Sequence, residues 1–175
     1  PPRNRPPTVR PSNAAHRIPD AFPLLAGLPP VDGDGSTWGP SRVLAPLVPS
    51  ACGRRVPVPQ HVDLLRGAWN EPEDSRERQL VSFRTDRAAA AYADALLDLY
   101  RACPEDRIQG GDRLRSMIVD SDLSRHAGAV SVLATHGGAP RPGLETLHVV
   151  RLGQHVLLAL TYGEGGAGPD PEAEA

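Results

Sequence analysis

The chain has 175 residues, of which 39% are hydrophobic, 23% charged and 4% aromatic, enough for one core and too few for two comfortable domains. All 19 basic residues are arginine, so the chain offers no P-loop lysine, Schiff-base lysine or lysine general base. A formal charge of −2 and only seven aromatic residues argue against a nucleic-acid partner, which wants a basic footprint and stacking surfaces.

From the N-terminus, residues 1–17 hold five prolines, four arginines and no acid, the composition of an extended, semi-rigid tether. A basic arm drawn to anionic lipid or cell-wall polymer is the other reading. Between Ile18 and Pro59 the apolar residues come in short pieces, Phe22, Leu24, Leu25 and Leu28, then Val43, Leu44, Leu47 and Val48. Proline and glycine break them, which predicts ordered loop wrapped on a core. Val62, Leu65 and Trp69 recur at three and four residues and predict a short helix after Pro59 that ends before Pro72. Arg78 to Arg84 alternates Val81 and Phe83 against polar neighbours, a half-buried strand.

Thr85 and Asp86 can cap a helix with an inward stripe of Ala88, Tyr92, Ala95 or Leu96, Leu99 and Cys103, stopped by Pro104. Three strand-like runs follow: Leu114 to Asp120, Ala129 to His136, and Glu145 to Tyr162 folded on itself at Gly153-Gln154. On that hairpin, Leu147, Val149, Val156, Leu158, Leu160 and Tyr162 share one face with Arg151. Strands in succession without helical crossovers imply antiparallel pairing. The expected class is α+β: an antiparallel twisted sheet of about five strands, one long helix packed on one face, and one disulfide. The expected organisation is a tether at 1–18, the domain at 19–165 and a disordered acidic tail at 166–175.

Cys52 and Cys103 are the only cysteines. No CxxC redox motif and no four-ligand zinc spacing exists, so the choice lies between two free thiols and one bridge. The even count, the tether and a loop-rich first third favour the disulfide, which for a loop of this length stabilises by about 4 kcal/mol.

Other groupings carry weaker chemistry. Four of the six histidines follow residue 125, but the hairpin register sets His148 and His155 about 13 Å apart along the strands, too far for one zinc. His136-Gly137-Gly138 resembles part of a hydrolase oxyanion loop without the G-x-S-x-G that would use it. Asp32 to Ser36 begins like a calcium loop but has Thr37 and Val43 where glycine and glutamate belong. Glu71, Glu73 and Asp74 stand beside Arg76 and Arg78 and read as a solvated loop. Gly163 to Gly166 lacks the strand-to-helix context of a phosphate loop. No catalytic residue, metal or cofactor is therefore expected. Arg151 lies on the apolar face near the turn, where it snorkels at the core rim or anchors an anionic group in a cleft walled by Trp69 or Tyr162.

Certain blocks look familiar: FPLLAGLP, DGDG, GPS, ACG at Cys52, the helix ending in ACP at Cys103, and LHVVRLGQHVLLALTYGEGG. Over roughly Phe22 to Gly166 the chain resembles actinobacterial secreted or lipid-anchored proteins similar to the extracellular sensor domain of mycobacterial receptor serine/threonine kinases. The resemblance implies an extracytoplasmic α+β domain with a disulfide and a cleft for an unidentified ligand, and it implies no catalytic residues. Two departures stand out, since a second cysteine pair and a helix after GEGG belong to that pattern and are missing here. The start at Pro1, with Met117 the sole methionine, leads us to expect a processed or excised piece, so the lack of a signal peptide, lipobox or membrane tether within these residues says nothing about what stands upstream of residue 1.

Together these readings lead us to expect a monomeric, non-enzymatic, secreted or membrane-anchored sensor-like domain that binds a small ligand or a cell-envelope component. A scaffold or protein-interaction module without a small-molecule pocket is the second expectation and a small hydrolase the third.

Overall fold

A computed structural model describes residues 17–31, 34–107, 112–120, 127–136 and 139–163. The DGDG turn in part, the HGG segment beyond His136, the tether at 1–16 and the acidic tail lie outside the described residues.

Eight strands form one antiparallel sheet: β1 (Ser36–Ser41), β4 (Asp63–Asn70), β5 (Asp74–Ser82), β6 (Glu105–Arg107), β7 (Asp112–Asp120), β8 (Gly128–His136), β9 (Ala139–Leu152) and β10 (His155–Gly163). Their spatial order is β1-β4-β5-β10-β9-β8-β7-β6, with a separate two-stranded ribbon of β2 (Ser50–Ala51) and β3 (Arg54–Arg55). The expected class, antiparallel pairing and single packed helix hold, while about five strands was too few. The β9-β10 hairpin pairs Leu152 with His155 across the Gly153-Gln154 turn, the register that alternation predicted.

Helix α1 (Asp86–Arg101) starts at Thr85, whose hydroxyl accepts the Ala88 N–H at 3.1 Å, and carries Asp86 in its first turn and Arg101 in its last, each charge opposing the helix dipole. Its buried face is Ala89, Tyr92, Ala93, Leu96, Leu97, Leu99 and Tyr100, so Ala95 points out and Cys103 falls just beyond the C-cap, still buried. This stripe packs on Leu64, Val81, Val130, Leu147, Val149, Val156 and Leu158, which the register places on one face of the sheet.

The short helix expected after Pro59 is strand β4. Both faces of β4 are covered: Leu64 and Ala68 look toward the helix, and Leu65 and Trp69 toward the opposite side. A strand buried on both sides loses its alternation, and its apolar residues can fall by chance at helical spacing. What covers the second face there is the segment after the tether: Ile18 and Leu24, with Phe22, pack on Leu65, Leu80 and Leu157. Asp63 fixes that segment, accepting the Ile18 N–H at 2.9 Å and the Arg42 Nε at 2.9 Å, while Arg42 also reaches Asp20. Burial works to raise the Asp63 carboxyl, but the Arg42 and backbone hydrogen bonds outweigh it and hold the carboxyl below its usual value.

Candidate functional site

On the helix-facing side of β5, Gln79 stands in register with Arg66 on β4 and Leu158 on β10 and is fully buried. A buried amide must find partners, and this one finds a loop: Gln79 Oε1 accepts the Leu47 N–H at 2.7 Å, and Gln79 Nε2 faces the Leu47 carbonyl at 3.4 Å. Arg66 donates to the Ala45 carbonyl with one terminal nitrogen and to Glu77 with the other. Two polar side chains of the sheet thereby hold the backbone of residues 45–47 above the apolar face.

The same loop is pinned at its far end. Cys52 bonds Cys103 with the Cα atoms 6.0 Å apart, as the even cysteine count suggested. Cys52 sits at the tip of the β2-β3 ribbon with φ 48°, followed by Gly53 at φ 70°, and its N–H donates to Asp106 at 2.6 Å. Arg54 donates to the Leu99 carbonyl at 3.4 Å near the helix end. Among the described residues Cys52, Cys103 and Asp106 are close enough together to suggest a metal, but both sulfurs are committed to the disulfide and are no longer thiolate ligands.

Between this pinned loop, the end of α1 and the sheet lies a cavity of about 190 Å³, lined by Leu47, Val48, Pro49, Ser50, Tyr100, Glu145, Leu147 and Leu160. Leu147 and Leu160 are cross-strand partners on the helix-facing side, and Glu145 lies one step along that side of β9, opposite Tyr162. Burial raises the Glu145 carboxyl above its ordinary range, and the nearby charge of Glu77 adds to the shift. Burial, and then the Glu145 charge, push the Tyr100 phenol up to about 12. The cavity thus presents a carboxyl and a hydroxyl among leucine, valine and proline side chains.

The three residues expected to form a cleft do not meet. Trp69 faces the opposite side of the sheet and is buried there, with the Arg76 guanidinium 5.7 Å from its ring centre. Arg151 and Tyr162 do share the helix-facing side, but Arg151 pairs with Val156 and Tyr162 with Glu145. Six residues of β9 separate those positions, about 20 Å. Arg151 donates to the Gly153 carbonyl at 3.1 Å and so latches its own turn. Tyr162 packs over Gly143, where a Cβ would stand 2.7 Å from its Oη.

Of the other candidates, His148 and His155 lie on the second face opposite Ala159 and Leu152, at the spacing expected. Glu71 and Asp74 close the β4-β5 turn, with the Glu71 N–H on the Asp74 carbonyl at 2.8 Å. Glu145 and Gln79 carry only a weak signal in the sequence. Each is a polar residue at even spacing from apolar positions that face the helix, Glu145 from Leu147 and Gln79 from Val81.

No protein-family model and no curated protein matches the chain. Among solved structures the chain is similar to the extracellular domain of PknH from Mycobacterium tuberculosis, at 14% identity and a TM-score of 0.46 over 61% of this chain. It spans 57% of that domain's length. No helix among the described residues is long and apolar enough to cross a membrane.

Proposed function

We propose that this chain is a non-enzymatic, extracytoplasmic, sensor-like domain whose ligand site is the cavity roofed by residues 47–50. The observation that carries the reading is a half-buried carboxyl, Glu145, held in the wall of a cavity of mixed polar and apolar lining under a loop that the Cys52–Cys103 bridge keeps in place. Even partial desolvation of a carboxyl costs free energy, so its place in a cavity wall fits a group kept for binding. The disulfide favours an oxidising compartment, because cytosolic thiols are held reduced.

A second reading, a cell-envelope interaction module, draws on a different observation. On the second face, away from the Ile18–Leu24 cover, Met117, Val119 and Leu152 are 58%, 64% and 63% exposed, and apolar exposure of this kind marks contact surfaces when it is contiguous.

A thermal-shift screen of small molecules against the chain and its Leu160→Trp variant separates the two. Hits that stabilise the wild type and lose their effect when tryptophan fills the cavity are the expected result. Hits that act equally on both proteins refute the cavity as the site.

A further inference from the structure

The lining chemistry of the cavity specifies what kind of ligand it can hold, if the ligand-site reading on which this inference rests is right. Two acidic side chains approach one another on the helix-facing side, Glu77 and Glu145. Glu77 is answered by Arg66, whose second terminal nitrogen is committed to the Ala45 carbonyl. For Glu145, no ion pair and no hydrogen bond is formed among the described residues, and no cation offsets its burial. An ionised Glu145 therefore has no positive partner in this wall.

Around that carboxyl, Leu47, Leu147 and Leu160 supply apolar wall and Tyr100 supplies a hydroxyl oxygen. An anionic ligand would add a third negative group beside Glu145 and Glu77. A neutral ligand would leave the carboxylate partly desolvated without a counter-charge, which costs free energy. A compact ammonium group supplies the missing charge and several N–H donors, one for each carboxylate oxygen and one for the Tyr100 oxygen. A cavity of about 190 Å³ restricts the remainder of the ligand to a short apolar body. We propose that the cavity binds a small primary ammonium compound with a short apolar chain, held by an ion pair to Glu145.

The test uses the full chain and three probes of one shape and different charge: n-pentylammonium, n-pentanol and pentanoate. Each is titrated at neutral pH while amide chemical shifts are followed. The expected result is that n-pentylammonium shifts the amides of Leu47, Ser50, Tyr100 and Glu145 and binds at least about tenfold tighter than pentanol, with pentanoate weakest. Glu145→Gln, close to isosteric, should remove that tenfold preference while pentanol still binds. Lowering the pH on the wild type gives the same contrast without a variant, since protonating Glu145 removes the ion pair and the preference with it. Equal affinity for pentanol and pentylammonium, or a preference that survives both Glu145→Gln and low pH, overturns the ammonium assignment. Shifts at the cavity in that case would leave the ligand-site reading standing. No shift at the cavity with any of the three probes overturns both.

Discussion

Replacing both cysteines, Cys52→Ser with Cys103→Ser, removes the covalent tie between the cavity roof and the end of α1. The two residues are 51 apart in sequence, and the chain-entropy relation for a loop of that size gives about 4 kcal/mol at 25 °C. For a domain of this size each kcal/mol lowers the melting temperature by about 2–4 °C, so the double variant should melt roughly 8–16 °C lower. The loss should also be local. Amides of residues 47–55 should lose hydrogen-exchange protection first, because Gln79 and Arg66 anchor only residues 45–47 at the other end. The assay is urea unfolding of wild type and variant, paired with hydrogen exchange in the folded baseline. A stability change below about 1 kcal/mol, or a loss of protection spread evenly over the sheet, would refute the view that the bridge is the main fastening of this roof.

Glu145→Gln should raise stability at neutral pH. The folded carboxyl sits above its unfolded value, so the native state keeps a proton that the unfolded chain has lost, and wild-type stability falls as pH rises through that interval. Urea midpoints across the acid range should show this decline in the wild type and its absence in the variant. Asp63 has the opposite sign: its folded carboxyl is lowered, so the stability it contributes is present above the ordinary carboxylate range and lost as pH falls through the folded value. Asp63→Asn should remove that acid leg and expose the amides near Ile18 to exchange. Gln79→Leu leaves the Leu47 N–H without its partner and should cost about 1–3 kcal/mol in denaturant unfolding, with loop 45–50 loosened. Gly143→Ala meets φ +98° and the Tyr162 ring, and should destabilise by about 1–3 kcal/mol in the same assay.

The β9-β10 hairpin was readable because its two faces differ, apolar toward the helix and mixed toward the other side, so period-two alternation survives in the sequence. Helix α1 was readable for a similar reason, with Asp94 and Asp98 away from Tyr92, Leu96 and Leu99. The spacing in β4 mimics a helix because Ile18 and Leu24 cover its second face, a contact between segments far apart in sequence that no local pattern announces. β1 was read as loop because Gly39 and Pro40 interrupt it, yet as an edge strand it pairs only with β4, and proline is tolerated at an edge. The cavity was hidden for a non-local reason too. Its roof and its wall, Leu47 and Glu145, are brought together by ties between residues distant in sequence, among them the Gln79 hydrogen bonds and the disulfide. Arg151 was placed on the correct face and at the correct end of the hairpin, but its partner is the carbonyl of its own turn.

The most direct measurement is a crystallographic soak of the full chain in a panel of small fragments of mixed charge. The account expects bound density between the loop at residues 47–50 and the Tyr100 and Glu145 side chains. Fragments gathered instead on the open face around Met117, Val119 and Leu152, with the cavity empty throughout the panel, would contradict it.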